Sequence, residues 1–271
     1  MLRKIIPIGI AAVALVVILS NKEPPSVDKK AEKIANKIAK RHAAANSSSP
    51  YALDVQRSSW PPLTEGETSA NAVGATATTN YYVVLDGSGS MQSKQCGGGT
   101  SRVDAAVEAM KSFFATVPAD ANVGLAAFDR RAISERVALG VGNRDALNDA
   151  LGNIRAGSDT PLRTAIQIGY DKLTAQARKQ LGYGEYHLVI VTDGQPDPRS
   201  EDPTPVVQDI LSESPIVLHT VGFCIDADHV LNQPSRMFYA SATSPEELQK
   251  SLHAVLAEAP SFDATKFQES H

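Results

Sequence analysis

Cysteine is nearly absent from this chain of 271 residues: Cys96 and Cys224 are the full complement, too few to establish an oxidising compartment by themselves. Long apolar runs are equally scarce. Ile5 to Leu19 is a stretch of fifteen uncharged residues in an otherwise ordinary composition of 42% hydrophobic and 21% charged residues. No glycine-rich loop ends in Gly-Lys-Ser/Thr, which excludes that kind of phosphate-cradling site, and no His-Glu-x-x-His helix is present for a metalloprotease. Gly87-x-Gly89 follows an apolar run, but the third glycine of a dinucleotide-binding turn would fall at Gln92. Ser88 does not form a nucleophile elbow, because Asp86 stands where that turn needs glycine. Internal repeats are missing as well.

Basic charge is lacking over most of the chain. Residues 1–50 hold nine Lys/Arg against three Asp/Glu, a net of +6, so with −4 overall the remainder carries −10. An acidic globular part argues against nucleic acid as its partner, because phosphate binding needs a basic face. Residues 1–22 read as a membrane anchor or signal segment. Fifteen helical residues span about 22 Å, against a hydrocarbon core of roughly 30 Å, a gap that snorkelling of Lys4 and Lys22 can close. A cleaved signal calls for small residues before the cut, and Ile18-x-Ser20 is a poor match, so an uncleaved single-pass anchor is favoured over a removed signal.

Residues 23–46 read as a basic helical stalk, with Ala31, Ile34, Ala35, Ile38 and Ala39 on one stripe and lysines on the other faces. Both a helix lying on anionic lipid and a solvated stalk fit that pattern. Residues 47–79 are a Ser/Pro/Thr-rich linker in which Tyr51, Leu53, Val55 and Trp60 are candidates for docking on the domain. The count of Lys/Arg flanking the apolar run places the soluble part in the cytoplasm, whereas the layout of basic start, apolar stretch and soluble remainder is that of an export signal. The extracytoplasmic side is favoured.

From residue 80 to 258 strand and helix patterns alternate. This implies an α/β fold: a Rossmann-like, doubly wound, mostly parallel central sheet with one antiparallel edge strand, preceded by the N-terminal helix and linker. Strands are expected at Tyr81 to Leu85, Asn122 to Phe128, Ala132 to Ala138, His187 to Thr192, Ile216 to Gly222 and Met237 to Ala240. Helices are expected from about Arg102 with Ser101 as N-cap, from Pro161 with Thr160 as N-cap, and near Pro205. A last helix follows a capping box of Ser244 and Glu247. Residues 259–271 form a C-terminal tail.

The most informative stretch is Asp86-Gly87-Ser88-Gly89-Ser90. A strand ends there in one carboxylate and two hydroxyls, on a loop whose glycines let the backbone fold around a small ligand. Oxygen donors alone suit a hard divalent cation, whereas zinc or copper would call for His and Cys nearby. One carboxylate is too little charge, and the chain supplies further donors at Thr160 and at Asp193, which ends a second buried-strand pattern. In a doubly wound sheet such strand ends meet where strand order reverses.

The set Asp86-x-Ser88-x-Ser90, Thr160 and Asp193 resembles the metal-ion-dependent adhesion site of von Willebrand factor A domains, with every position filled, in a membrane-anchored protein of bacterial type. The resemblance implies a divalent cation, Mg2+ first and Mn2+ or Ca2+ as alternatives. Ser88, Ser90 and Thr160 would be hydroxyl ligands, and Asp86 and Asp193 would act directly or through water. It implies binding of a protein partner that supplies an Asp or Glu carboxylate, with no nucleic acid and no catalytic residues. A cytoplasmic-facing adaptor for an ATP-driven chaperone is the second reading. A metal-assisted hydrolase is a third, which lacks a base with a supporting motif.

Cys96 follows the first strand and Cys224 the fifth, so both fall at one end of the sheet. A bridge would close a loop of more than a hundred residues, for which chain entropy gives roughly 4 to 5 kcal/mol; two free buried thiols fit the same positions. Asp129, Asp159, Asp197 and Asp226 read as turn formers ahead of a role in supporting the site by hydrogen bonds or negative potential, and Asp226, Asp228 and His229 read as polar residues on an exposed loop ahead of a second metal site. His219, inside a strand, reads as a packed or hydrogen-bonded histidine.

Overall fold

A computed structural model of the chain describes residues 60–62, 78–225, 229–233 and 237–257. The expected anchor, the basic stalk, most of the linker and the tail lie outside the described residues, as do Asp226 and Asp228. Among the described residues no helix is long and apolar enough to cross a membrane.

Six strands form one sheet: β1 (Thr78–Asp86), β2 (Asn122–Asp129), β3 (Ala132–Gly140), β4 (Gly184–Thr192), β5 (Val217–Phe223) and β6 (Phe238–Ala242), in the order β3-β2-β1-β4-β5-β6. β2 and β3 pair antiparallel at one edge and every other pair is parallel. Among the described residues five helices connect and cover them: α1 (Arg102–Thr116), α2 (Arg144–Gly152), α3 (Leu162–Lys179), α4 (Thr204–Glu213) and α5 (Pro245–Ala257). The chain leaves β1 for β2 and β3 on one side, then returns to lay β4 on the other. Strand order therefore reverses between β1 and β4, whose carboxyl ends carry Asp86 and lead into Asp193.

The two-residue period of a strand explains the layering. Tyr81, Val83 and Leu85 of β1 join Val189, Val191, Val221 and Phe223 against α1, α2 and α5. Tyr82 and Val84 join Leu188, Ile190, Ala126 and Phe128 against α3 and α4. Because β1 and β4 are covered on both faces, their sequences are unbroken apolar runs rather than alternating ones.

Several boundaries differ from those expected. β1 begins at Thr78, three residues early, because the buried Asn80 bonds the Thr78 carbonyl, Gln180 and the Glu185 carbonyl and accepts from Asn122. Trp60 packs edge-on to Tyr186 at 4.9 Å, and the Pro62 carbonyl accepts from Arg178 Nε, so this part of the linker is seated on the domain. Helix α2 has no counterpart in the expected elements. Thr160 is not a helix cap: α3 starts at Leu162 behind Pro161 with no side-chain cap, and the peptide groups of Thr160 are bridged to Asp197 at 3.0 and 3.1 Å. Ser101 does cap α1, accepting from the Asp104 N–H. At α5 Ser244 accepts from the Glu247 N–H, while the Glu247 carboxylate reaches Thr243 rather than Ser244.

Candidate metal centre

The end of β1 is drawn onto β2 by one bond, Gly87 N–H to the Phe128 carbonyl at 2.8 Å. A side chain at Gly87 has no room, since a Cβ would stand 2.9 Å from that oxygen and 3.0 Å from the Asp129 Cβ. The chain then enters a short 3-10 turn, Gly89–Gln92, which carries Ser90. Asp86 Oδ1 accepts from the Ser88 N–H at 2.7 Å and Oδ2 from the Thr192 hydroxyl at 2.6 Å. The hydroxyls of Ser88 and Ser90 are 2.9 Å apart, and Ser90 donates to Asp193 Oδ1 at 2.6 Å.

Asp86, Ser88, Ser90 and Asp193 are thus joined in one hydrogen-bonded string. Thr160 arrives on a separate loop that is stapled to the same turn, Gly157 N–H to the Gly87 carbonyl at 2.8 Å and Gly89 N–H to the Ser158 carbonyl at 3.0 Å. With its cap role removed, the Thr160 hydroxyl does not divide its bonding between a helix end and a ligand.

The electrostatics are those of a crowded anionic pocket. Asp86 is fully buried, and its carboxyl is pushed up to about 6, first by burial and then by the charge of Asp193; the bonds from Thr192 and Ser88 only partly offset this. Asp193 has a counter-charge that the sequence reading missed. Arg102, at the start of α1, donates from Nη1 to Asp193 Oδ2 at 2.8 Å, with both side chains buried. The same guanidinium reaches the Gln95 carbonyl at 3.1 Å and Cys224 Sγ at 3.2 Å. Cys224 is bonded to Cys96 with a Cα–Cα distance of 5.9 Å, and both cysteines hold φ of 61°, in the left-handed region. The one local hint of Arg102 is a cation in the first turn of a helix, where the helix dipole disfavours it unless a carboxylate is near.

Two further residues depart from their expected readings. Asp129 is buried beneath Gly87 and does more than form a turn: it accepts from the N–H groups of Arg131 and Arg155 and from Arg136 at 2.8 Å. Burial opposes its ionisation, but those peptide groups and the guanidiniums of Arg136 and Arg131 outweigh burial and hold the carboxyl below its usual range. His229 is buried, not exposed; its Nδ1 accepts from the Leu231 N–H, so Nε2 carries the proton and donates to the Gly194 carbonyl at 2.7 Å, beside Asp193. His219 is packed as expected, 3.1 Å from His187 and stacked on Phe238, at the opposite ends of the strands. Asp197 serves through its backbone bridge to Thr160, and Asp159 is exposed.

Comparison with known families matches residues 80–266 to the von Willebrand factor type A domain. The chain belongs to that family. Among solved structures it is similar to the pilus adhesin SpaC from Lactobacillus rhamnosus GG, at 18% identity over 67% of this chain and 30% of the adhesin, with a TM-score of 0.53. It is equally similar to a von Willebrand factor type A protein from Catenulispora acidiphila, at 18% identity over 67% of this chain and 43% of that one, with a TM-score of 0.54. Proximal thread matrix protein 1 of the mussel byssus aligns at 13% identity over 66% of this chain and 47% of its own, with a TM-score of 0.51. The chain therefore spans less than half the length of each of these proteins, and the likeness at such identity is one of fold. No curated protein matches the sequence.

The residues at the carboxyl pole of this A domain fit a hard divalent cation by their chemistry. Two carboxylates and the Ser88 and Ser90 hydroxyls converge as oxygen donors, and the two carboxylates repel each other across a buried space. Among the described residues no three His, Cys, Asp or Glu side chains converge, so the donor set here is rich in hydroxyls.

Proposed function

We propose that this A domain is a binding module, not an enzyme, of the membrane-anchored bacterial kind. It would hold a divalent cation, Mg2+ in the first instance, at a complete metal-ion-dependent adhesion site and so capture a partner protein. The observation that carries this reading is the hydrogen-bonded string from Asp86 through Ser88 and Ser90 to Asp193, closed over by the stapled Thr160 loop.

When bound, the cation supplies a Lewis-acidic point at which an Asp or Glu carboxylate of the partner completes the coordination. The chain's own groups set the cradle. Ser88 N–H and the Thr192 hydroxyl fix both oxygens of Asp86. The Ser90 hydroxyl gives its proton to Asp193, so it accepts from Ser88 across 2.9 Å and keeps one lone pair for a ligand. The Cys96–Cys224 bond supports placement of the domain on the extracytoplasmic side, where disulfides persist. Residues 1–22 would tether it as a single-pass anchor.

The test is capture of partners from cell-envelope extract by the full chain with Mg2+, with EDTA, and with Asp86→Ala. Capture should need both the metal and the carboxylate. Undiminished capture under EDTA and by the variant would sink the metal-bridge reading. A reporter fused at the C-terminus, active on one side only, reports the side of the membrane.

A further inference from the structure

One flank of the metal turn is lined with arginine. Asp129 lies directly under Gly87; Arg131 and Arg136 pair with it, the Arg155 N–H reaches it, and Arg130 follows it in the chain and lies against Gly157. Their roles differ. Arg136 is 13% exposed and committed to Asp129 at 2.8 Å, while Arg131 touches Asp129 at 3.5 Å and leaves 50% of its side chain in solvent. The Arg155 guanidinium bonds the carbonyls of Gly152 and Ile154 at the end of α2 and is exposed. Arg130 is exposed as well and takes part in no ion pair among the described residues.

The position of Arg130 is well defined. Its N–H donates to the Arg155 carbonyl at 3.0 Å, and its Nε passes 3.5 Å from where a Gly157 Cβ would stand. It therefore lies across the very loop whose Gly157 and Ser158 are bonded to the metal turn. Two of these guanidiniums pair with the buried Asp129 and the other two are exposed without an acidic partner among the described residues, a local excess of positive charge on a chain whose residues 51–271 sum to −10. A fold with that overall charge does not need an unpaired arginine at this edge for stability or solubility.

We propose that this arginine rim, with Arg130 at its centre, is the second contact of the partner site, and that the partner presents an acidic segment. One carboxylate meets the metal and a neighbouring Asp or Glu pairs with Arg130 and Arg131. The proposal rests on the metal-dependent binding reading given above. Exposed charge pairs each contribute modestly, and they act chiefly on encounter rate and selectivity, so the rim decides which carboxylate is accepted rather than whether one binds. Binding should weaken with ionic strength over the range in which surface charges are screened.

The test uses the full chain in mild detergent and three short fluorescent peptides, each with a central Asp flanked by Ala, by Glu or by Lys, read by anisotropy in Mg2+ and in EDTA. The Glu-flanked peptide should bind about ten-fold tighter than the Ala-flanked one, and the Lys-flanked peptide weakest. Arg130→Glu should abolish that preference or turn it towards the Lys-flanked peptide, while Arg130→Lys retains it. Calorimetric Mg2+ binding by Arg130→Glu should stay within about two-fold of the parent, because the ion's own ligands are untouched. Equal binding of all three peptides, or a preference that survives Arg130→Glu, overturns the rim. Absence of Mg2+-dependent binding by every peptide overturns the metal reading beneath it as well. A single-stranded oligonucleotide held as tightly in EDTA as in Mg2+ would reassign the rim to phosphate.

Discussion

Replacing Asp86 by asparagine should stabilise the metal-free protein while removing its response to metal. Asp86 is wholly buried, and its carboxyl is pushed from 3.8 up to about 6 by burial and by Asp193. That rise corresponds to about 3 kcal/mol of lost stability once the group is ionised. The sign follows from proton counting: between the two values the folded state holds a proton that the unfolded chain has released, so stability falls as pH rises. The penalty is absent below about pH 4, grows between about pH 4 and 6, and is complete above that. Asparagine has the same shape. Its carbonyl can still accept from the Ser88 N–H, and its amide can donate to the Thr192 hydroxyl, whose proton then turns to the Gly194 carbonyl at 3.2 Å. The assay is urea unfolding of parent and Asp86→Asn in EDTA across a pH series. Taking the difference cancels groups that titrate alike in both proteins, including the acid-sensitive His187 and His219. The two should be close at about pH 4, and the variant should be more stable by up to about 3 kcal/mol at about pH 8. Added Mg2+ should raise the parent and leave the variant unmoved. A variant less stable than the parent at the higher pH, in EDTA, would refute the idea that this carboxylate is held at a cost for a cation.

Arg102→Ala should lower metal-free stability by about 3 to 5 kcal/mol, because Asp193 is left buried without its counter-charge, and should tighten Mg2+ binding; unchanged calorimetric affinity would show that Arg102 does not set the charge of the site. Replacing Cys96 and Cys224 together by Ser opens a loop closed over a sequence separation of 128, so the urea midpoint should fall by the equivalent of up to about 5 kcal/mol, and an unmoved midpoint would refute the cross-link's role. His219 is lowered to about 3, first by burial and then by the neighbouring His187, so its contribution is whole above about pH 6.5 and is lost as pH falls towards 3. His219→Gln should flatten the acid limb of the stability profile in that window, and an unaltered limb would exclude the histidine pair as its origin.

The strands that carry the site are legible in the sequence because they are buried on both faces. Tyr81 to Leu85 and His187 to Thr192 read as continuous apolar runs, and each stops at a carboxylate. The helix α2 is not legible, since Leu147 and Leu151 are its only buried residues and a single pair four apart makes no stripe. The misplaced cap at Thr160 has a different cause. Its Thr-Pro pattern is a sound helix start, but its peptide groups are committed to Asp197, a contact across 37 residues that no local rule reports. Arg102 and the buried role of His229 escape for the same reason: their meaning lies in distant partners, the Arg102–Asp193 pair being separated by 91 positions and His229 from Gly194 by 35. Donor types at a strand end can be read from sequence, whereas the charges that tune them come from topology.

That tuning changes the charge balance on which the proposed carboxylate capture would depend. Asp86 and Asp193 alone would neutralise a divalent cation. Arg102 takes up half of that negative charge through Asp193, so an ion in this cradle would keep an excess of about one positive charge towards solvent. Arg102 is not a mobile surface charge: the Gln95 carbonyl and Cys224 hold its guanidinium in place, and its N–H is fixed to the Ser93 carbonyl. An under-neutralised ion binds weakly by itself and gains most from an incoming carboxylate, so by reciprocity the partner must tighten the ion as much as the ion tightens the partner. The Glu-flanked peptide should therefore raise Mg2+ affinity in the parent protein by the same factor that Mg2+ raises peptide affinity. In Arg102→Ala, where both carboxylates face the ion, that mutual factor should shrink, and an undiminished factor would mean that Arg102 leaves carboxylate capture unaffected.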